Sequence, residues 1–346
     1  MGHRDMPQLR REPLFPKRWV VFAPERKQRP MDFPSPPEPS NPIRPFMTGN
    51  ENLTPHEVFA IRPKGGAPNS PGWTVRVVPN RFPALRVEGE LLPEGVGIYD
   101  QINGIGAHEV IIETPDPDLE LEDQPLGAVT DVLRAYRARI IDLVQDIRFR
   151  YIFVFKNVGM LAGASLRHPH SQLIALPIVP RAVEEQLETA RSHFELKERS
   201  LFADVLQAEM RSGDRLVYEN SAFASFCPWA SRFAFETWIM PKFPAAHFHA
   251  LDDYHLGLLA EALRHVLRRI RKGLQKPAYN LILQTAPFHQ TRVRESIPPE
   301  MEFRWHIEIL PRLAQAAGFE YGTGFYINTT FPEEAASFLR RVRVET

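Results

Sequence analysis

Short apolar runs rich in β-branched and aromatic residues alternate along the chain with longer amphipathic segments. The short runs have the composition of β-strands and are bounded by residues that favour turns. We therefore predict strands at residues 19–23, 73–78, 108–113, 151–155 and 172–176.

Three longer segments repeat their apolar residues with the period of an α-helix. The first begins at Pro125 and places Val129, Val132, Tyr136 and Ile140 on one face. The other two cover residues 181–208 and 252–272. Because the strands come in groups ahead of the helices, the pattern favours an α+β fold over a parallel βαβ arrangement.

The two halves of the chain repeat one order of elements. In the first half, HEVIIETP leads to a long helix, the strand YIFVFKN, a loop and a histidine-containing strand that ends at Pro177. In the second half, FETWIMP leads to a long helix, the strand YNLILQT, a loop and WHIEILP, which ends at Pro311. We infer a duplication, with one unit at residues 1–210 and another at 211–346.

Composition and charge exclude several classes of protein. A length of 346 residues fits about two domains, and 43% hydrophobic residues suffice for a large core. Basic and acidic residues number 42 each, so there is no overall field to recruit nucleic acid or an anionic membrane. We expect neither as a partner.

Cysteine usage and the terminal sequence favour a cytoplasmic protein. The single cysteine, Cys227, rules out an internal disulfide framework and a Cys-x-x-Cys site. The segment MGHRDMPQLRREPLF has no apolar core of a secretion signal, and no run of about 18 apolar residues occurs. The proline-rich segment 30–45 cannot be helical, and we predict an extended arm or surface loop there.

Two histidines separated by one proline precede the strand at 172–176. In an extended chain His168 and His170 point the same way, and Pro169 stiffens the backbone between them. An imidazole held in one tautomer is a nucleophile for phosphorus, because the ring can form a covalent intermediate and then leave. Gln172 lies further along the same face, where its amide can stabilise phosphoryl oxygens. The histidine pair equally fits a metal site or two ordinary strand histidines.

The loop at residues 157–165, before this pair, has the composition of a phosphate-binding turn. Its glycines, Gly159 and Gly163, let backbone N–H groups approach an anion closely. Asn157 and Ser165 add polar side chains. The loop alone is a weak indication of a phosphate site.

Four segments, taken in order, resemble the galactose-1-phosphate uridylyltransferase family, the two-repeat branch of the histidine-triad superfamily. WVVFAPERKQRP at 19–30 resembles the family's first strand and arginine turn, and PNRFPAL at 79–85 its nucleotide-contacting segment. Residues 157–172 resemble its active-site loop and His-Pro-His-x-Gln strand, and FETWIMPK at 235–242 the start of its second repeat. The resemblance implies an α+β fold of two tandem histidine-triad-like units, with antiparallel sheets flanked by helices. It also implies a homodimer.

The resemblance assigns roles to individual residues. His170 stands at the place of the nucleophile that becomes a nucleotidyl-histidine, and Gln172 at the place of the glutamine that contacts the phosphoryl group. The catalytic residues implied in this way are His170, Gln172, Ser165 and His168. The implied substrate contacts are Arg26, Arg29, Asn80, Asn157, Gly163, His306 and Asn328.

The sequence departs from the family at its structural zinc site. Arg44, Met47 and Pro117 stand at three of the four ligand positions, and only His168 remains. Arginine does not ligate zinc, and a methionine thioether is a poor ligand for it. We therefore predict no tightly bound metal and no other cofactor.

These observations lead to a nucleotidyltransferase that acts on a nucleotide sugar and a sugar phosphate or phosphate. The first hypothesis is transfer of UMP between UDP-glucose and a hexose 1-phosphate by a two-step mechanism through His170. An alternative of the same fold is a phosphorylase of ADP-glucose or of a dinucleoside polyphosphate. Two alternatives belong to other classes of protein. One is a metal-dependent hydrolase, with His168, His170 and one of His247 or His306 as ligands, and the other is a catalytically silent binding module.

Overall fold

The computed structural model describes residues 8–22, 44–289 and 297–344. The strands of this part are β1 Gln8–Glu12, β2 Phe15–Phe22, β3 Phe59–Ile61, β4 Val75–Pro79, β5 Glu94–Val96, β6 Tyr99–Gln101, β7 Ala107–Ile112, β8 Tyr151–Val158, β9 His170–Leu176, β10 Leu216–Glu219, β11 Phe223–Phe226, β12 Thr237–Pro241, β13 Tyr279–Gln284, β14 His306–Pro311 and β15 Tyr326–Asn328. The helices are α1 Leu126–Leu143, α2 Arg181–Lys197, α3 Leu201–Ser212, α4 Asp253–Gly273, α5 Pro299–Glu302, α6 Gly318–Thr323 and α7 Pro332–Arg341. None of these helices combines the length and the apolar character needed to cross a bilayer.

Ten strands form one antiparallel sheet in the order β10-β11-β12-β14-β13-β8-β9-β7-β4-β3. Each half supplies five strands in the same internal order, and β8 pairs with β13 at the junction. The long helix of each half connects corresponding strands, since α1 lies between β7 and β8 and α4 between β12 and β13. The predicted α+β fold with antiparallel strands and flanking helices is confirmed. The inferred boundary near residue 210 lies within α3.

The predicted strands are present with shifted ends. β2 starts earlier than predicted, and Ala23 lies outside the described residues. The predictions at 73–78, 108–113, 151–155 and 172–176 correspond to β4, β7, β8 and β9 within a few residues. α1 and α4 occupy predicted segments, with Pro125 and Asp252 just before their first residues. Most of the proline-rich segment 30–45 lies outside the described residues.

The single helix predicted over residues 181–208 is wrong, because two helices occupy this segment. α2 ends where Glu198 takes a left-handed conformation with φ of 55°. The N–H of Glu198 then bonds the carbonyl of Phe194, which is a common way to end a helix. α3 restarts after Ser200 and buries Phe202 in the same apolar cluster as Leu187 of α2. The helical spacing of the apolar residues continues across the break between α2 and α3, so this spacing alone does not reveal the break.

The two faces of the sheet are covered differently. α1 and α4 pack together on one face, where their apolar residues join strands of both halves in the largest core cluster. On the opposite face, α2 and α3 cover part of the second half and enclose Trp238 and Phe303. The corresponding face of the first half carries a smaller cluster, formed by Phe46, Trp73, Val78, Val110 and Ile112. This second face presents the His-Pro-His segment.

Candidate active site

His170 is the first residue of β9, opposite Ile112 of β7. Its Nδ1 donates a hydrogen bond to the carbonyl oxygen of His168 over 2.7 Å. A ring nitrogen that bonds a carbonyl carries the proton, so in the neutral imidazole Nε2 has the free lone pair. Burial lowers the pKa of His170, which is only 7% exposed. The residue is thereby held as a neutral imidazole with Nε2 as its nucleophilic atom.

His168 is fixed by its own ring and by an aromatic neighbour. Its Nε2 donates to the carbonyl oxygen of Thr114 over 2.7 Å. The ring of Phe46 meets the rings of His168 and His170 edge-on, with centroid distances of 5.9 and 5.5 Å. These contacts hold the His168 backbone, and its carbonyl in turn sets the tautomer of His170. The structure thus brings the two predicted histidines together with different tasks.

Gln172 lies on the same face as His170, opposite Val110 of β7. Its Oε1 is 2.9 Å from Nε2 of His108. Asn80 lies beside the same imidazole, with its Nδ2 3.1 Å from Nε2 of His108. Two predicted residues, Gln172 and Asn80, therefore both contact a histidine that the sequence did not single out.

The loop after β8 turns through two glycines with positive φ. Gly159 has φ of 79°, and an added Cβ would lie 2.9 Å from the Cβ of Ala278, so no larger residue fits without a shift. Gly163 has φ of 85° and ends a 3-10 turn at Met160–Ala162. A Cβ at Gly163 would lie 3.9 Å from Nδ2 of Asn157, which places that amide beside the turn. Gly163 and Ser165 are both exposed.

Asn280 of the second half holds this loop in place. It lies opposite Asn157 in the pairing of β13 with β8. Its Nδ2 donates to Oδ1 of Asn157 and to the carbonyl oxygen of Ala162, each over 2.8 Å. Asn157 then keeps its Nδ2 as a donor on the open face, because its oxygen is already engaged. Nothing in the local sequence indicates Asn280, since its position depends on the pairing of two distant strands.

A buried ion pair lies behind His170, on the side of the sheet that faces α1. Nζ of Lys156 is 2.7 Å from Oε2 of Glu113 and 3.5 Å from the carbonyl oxygen of His170. The hydroxyl of Ser171 donates to Glu113, and Tyr136 bonds both residues. Burial acts to lower the pKa of Lys156, but the carboxylates of Glu113, Glu120 and Glu122 together outweigh it and hold the pKa above the ordinary value. Lys156 is therefore a permanent cation at neutral pH.

Several implied substrate contacts do not join this group. Arg26 and Arg29 lie outside the described residues. Asn328 is on β15, in a separate sheet of order β1-β2-β15. Its Nδ2 donates to the carbonyl oxygen of Ser231 and its Oδ1 accepts from the N–H of Thr330, each over 2.9 Å. Both ends of this amide bond the backbone of its own chain.

His306 repeats the hydrogen bond of His170 in the second half. It is the first residue of β14, and its Nδ1 donates to the carbonyl oxygen of Arg304 over 2.9 Å. Its exposure is 0%, because Trp238 stacks on its ring at 5.0 Å and Phe303 at 6.2 Å. β13 and β8 separate it from β9. Among the described residues, the corresponding face of the first half carries no pair of helices equivalent to α2 and α3.

The residues at the family's zinc site do not fit a zinc ion. The carbonyl oxygen of Arg44 accepts hydrogen bonds from the N–H of Met47 and from the side chain of Asn50. Nδ1 of His168 is buried and has no hydrogen-bond partner among the described residues. In the described ranges no group of three or more His, Cys, Asp or Glu side chains is placed to hold a metal ion. One nitrogen donor is too few for a structural zinc site.

We predict well below one zinc per purified chain. Restoring the donors with Arg44→Cys, Met47→Cys and Pro117→His in one variant is expected to raise zinc binding, because thiolates and imidazole are the ligands zinc prefers. Adding His168→Ala to that variant is the control and should reduce the bound zinc. Elemental analysis after dialysis measures each protein. Stoichiometric zinc in the unchanged chain that disappears with His168→Ala alone would contradict the prediction.

The chain is similar to known proteins along its whole length. A profile described as the N-terminal domain of galactose-1-phosphate uridyl transferase matches residues 3–180. An ADP-glucose phosphorylase of Arabidopsis thaliana is 38% identical over 343 residues, which are 97% of this chain and 93% of that protein. A galactose-1-phosphate uridylyltransferase of Thermotoga maritima is 28% identical over 98% of this chain and 100% of its own length.

Solved structures agree with these matches. The crystal structure of an ADP-glucose phosphorylase from Arabidopsis thaliana with bound ADP-glucose has a TM-score of 0.83 to this chain at 35% identity, covering 98% of this chain and 100% of that one. The profile spans the half that carries His170, and the full-length relatives extend the likeness across the second half. On these grounds the chain belongs to the galactose-1-phosphate uridylyltransferase family and is a nucleotidyltransferase.

Proposed function

We propose that this chain transfers the adenylyl group of ADP-glucose to inorganic phosphate, giving ADP and glucose 1-phosphate. The choice of nucleotide rests on one observation. Identity to the ADP-glucose phosphorylase is 38%, against 28% to the uridylyltransferase of Thermotoga maritima, with nearly the whole chain covered in both cases. The sequence alone favours UMP transfer to a hexose 1-phosphate, and this remains the second candidate.

The geometry at His170 suits two successive displacements at the α-phosphorus. In the first, Nε2 forms a bond to phosphorus while the bond to the oxygen of glucose 1-phosphate breaks. The ring becomes positively charged, and the carbonyl of His168 at Nδ1 stabilises that charge. In the second, an oxygen of inorganic phosphate forms a bond to phosphorus, the P–N bond breaks, and ADP leaves with the imidazole neutral again.

Amide donors near His170 are suited to the phosphoryl oxygens. Gln172 follows His170 on the same face, and the free Nδ2 of Asn157 lies beside the glycine turn. Donors that are already oriented cost no reorganisation when charge shifts in the transition state. We assign Gln172 and Asn157 to this task, with Ser165 and Gly163 at the rim and Asn80 on the nucleotide side.

The mass of the intact chain tests the proposal. The protein is incubated separately with ADP-glucose and with UDP-glucose, without phosphate, and the covalent mass gain and the released sugar phosphate are measured. One adenylyl group per chain and one equivalent of glucose 1-phosphate are expected with ADP-glucose. A uridylyl adduct instead would favour the second candidate. No adduct with either compound would contradict the nucleotidyl-histidine mechanism.

As the pH is lowered, the rate of adduct formation is expected to fall with a midpoint below the ordinary pKa of histidine, about 6.5. Burial lowers the pKa of His170, so Nε2 keeps its lone pair at a pH where an exposed histidine is protonated. Single-turnover rates of adduct formation between pH 5 and 8 measure this, with the pH-stability of the fold checked by circular dichroism. A midpoint clearly above 6.5 would contradict the assignment of a neutral, buried nucleophile.

We further propose a homodimer that acts in the cytoplasm on small molecules and binds neither nucleic acid nor membranes. The dimer is supported by the family likeness, and the compartment by one buried free cysteine, Cys227. The balance of 42 basic and 42 acidic residues argues against polyanionic partners. Sedimentation velocity across a range of protein concentrations tests the dimer.

A further inference from the structure

His108 connects three parts of the candidate site. Its backbone carbonyl accepts a hydrogen bond from the N–H of Asn80 over 2.8 Å, and its Nδ1 accepts one from the N–H of Ala84 over 3.1 Å. Nε2 faces Oε1 of Gln172 at 2.9 Å. The imidazole therefore links the segment after β4, strand β7 and strand β9.

The bond from Ala84 fixes the tautomer of His108. An N–H that points at Nδ1 requires a lone pair there, so the neutral ring carries its proton on Nε2. That proton is donated to Oε1 of Gln172. If the amide of Gln172 were reversed, its NH2 group would also face the Nε2–H donor, which already has the NH2 group of Asn80 beside it at 3.1 Å, a contact between two donors in this tautomer. The amide of Asn80 is itself fixed, because its Oδ1 accepts from the N–H of Phe82 over 2.9 Å.

We propose that His108 is a positioning residue that turns the NH2 group of Gln172 toward the phosphoryl oxygens during transfer. This inference rests on the proposed function. With Oε1 engaged by His108, the two N–H donors of Gln172 are the part of the amide left for the substrate. An amide oxygen presented to the same site would repel the phosphoryl group. His108 acts only through Gln172 and touches no reacting atom.

The surroundings of His108 indicate that the sheet does not need this side chain. Val110 and Ile112 of the same strand, on the same face, are apolar and belong to the small cluster there. The pairing of β7 with β9 is made by the backbone, which any residue at position 108 supplies. The polar side chain of His108 is therefore explained by its hydrogen bonds to the segment after β4 and to strand β9, and not by packing in the sheet.

A double-mutant cycle tests the proposal. His108→Phe keeps the size of the ring without its nitrogens, and Gln172→Ala removes the amide. The rate constant of adduct formation from ADP-glucose is measured in single turnovers at saturating substrate for both single variants and the double variant. We expect a loss of about tenfold for His108→Phe, as for one hydrogen bond, and about a hundredfold for Gln172→Ala. In the Gln172→Ala background, His108→Phe should cause little further loss.

Two more variants separate positioning from folding. His108→Gln places an amide near the former Nε2 and is expected to keep most of the rate. His108→Asn reaches only the former Nδ1 and should behave like His108→Phe. The proposal would be overturned if the rate losses of His108→Phe and Gln172→Ala multiplied in the double variant, or if His108→Gln and His108→Asn lost the same rate. Neither outcome would count against the formation of an adduct on His170. Absence of any adduct on the unchanged chain would instead overturn the proposed function, and this inference with it.

Discussion

Replacement of His170 by alanine is expected to abolish the covalent adduct and to slow both half-reactions by at least roughly a thousandfold. In the proposed mechanism Nε2 forms the P–N bond, and the carbonyl of His168 holds the ring in the tautomer that this step requires. Substrate binding should persist, because the other side chains proposed to contact the nucleotide sugar are unchanged. Isotope exchange between glucose 1-phosphate and ADP-glucose reports the first half-reaction, and isotope exchange between phosphate and ADP reports the second.

His170→Gly gives a sharper form of the same experiment. The variant leaves a space beside Phe46, and the carbonyl of His168 remains in place to accept a hydrogen bond from the N–H of free imidazole. Added imidazole is expected to restore part of the rate of nucleotide transfer in the glycine variant. His265→Ala, on α4 at the other face of the sheet, is the matched control and should react at the normal rate. A His170→Ala variant at the wild-type rate, or a nucleotidyl label on a peptide without residue 170, would contradict the mechanism.

Local rules were sufficient to predict the strand that carries the nucleophile. Pro169 constrains its neighbours, and the two-residue period of a strand puts His170 and Gln172 on one face whatever the rest of the chain does. The loop before them was recognisable for a similar reason, since Gly159 takes a backbone conformation that other residues avoid. Each of these inferences depends on residues close together in the sequence.

Contacts between distant segments were beyond the sequence. His108 and Gln172 are 64 residues apart, and Asn280 and Asn157 are 123 apart. Each pair meets because two strands pair in one register, and a shift of one residue would turn every side chain to the other face. A lone histidine or asparagine in an apolar strand carries no sign of such a partner.

Two histidines with the same local geometry differ in the side chains that cover them. His170 and His306 each begin a strand and each donate Nδ1 to the carbonyl two residues earlier. His306 is enclosed by Trp238 and Phe303, whereas His170 lies against Phe46 on a part of the sheet that no pair of helices covers within the described ranges. The covering depends on how α2 and α3 turn at Glu198, a break that the helical period did not reveal.

The largest effect on stability is expected from breaking the ion pair behind His170. Glu113→Gln should lower the free energy of unfolding by about 3–5 kcal/mol, because it leaves the cation of Lys156 in the core without its counter-charge. Both residues are only 1% exposed. Hydrogen bonds from Ser171 and Tyr136 hold the carboxylate against Lys156. Urea unfolding followed by tryptophan fluorescence measures the change, with the m-value compared to detect altered denatured states.

The matched control is an exposed pair in the second half. Nζ of Lys242 lies 2.7 Å from Glu219, whose side chain is 51% exposed, and Glu219→Gln should change the free energy of unfolding by about 1 kcal/mol or less. Replacing both buried partners, with Glu113→Leu and Lys156→Met, should recover much of the stability lost in Glu113→Gln, because no unpaired charge is then left in the core. Equal effects at the buried and the exposed pair would mean that water reaches Lys156 in the folded protein. In that case Lys156 would not be held as a buried cation against the carbonyl of His170.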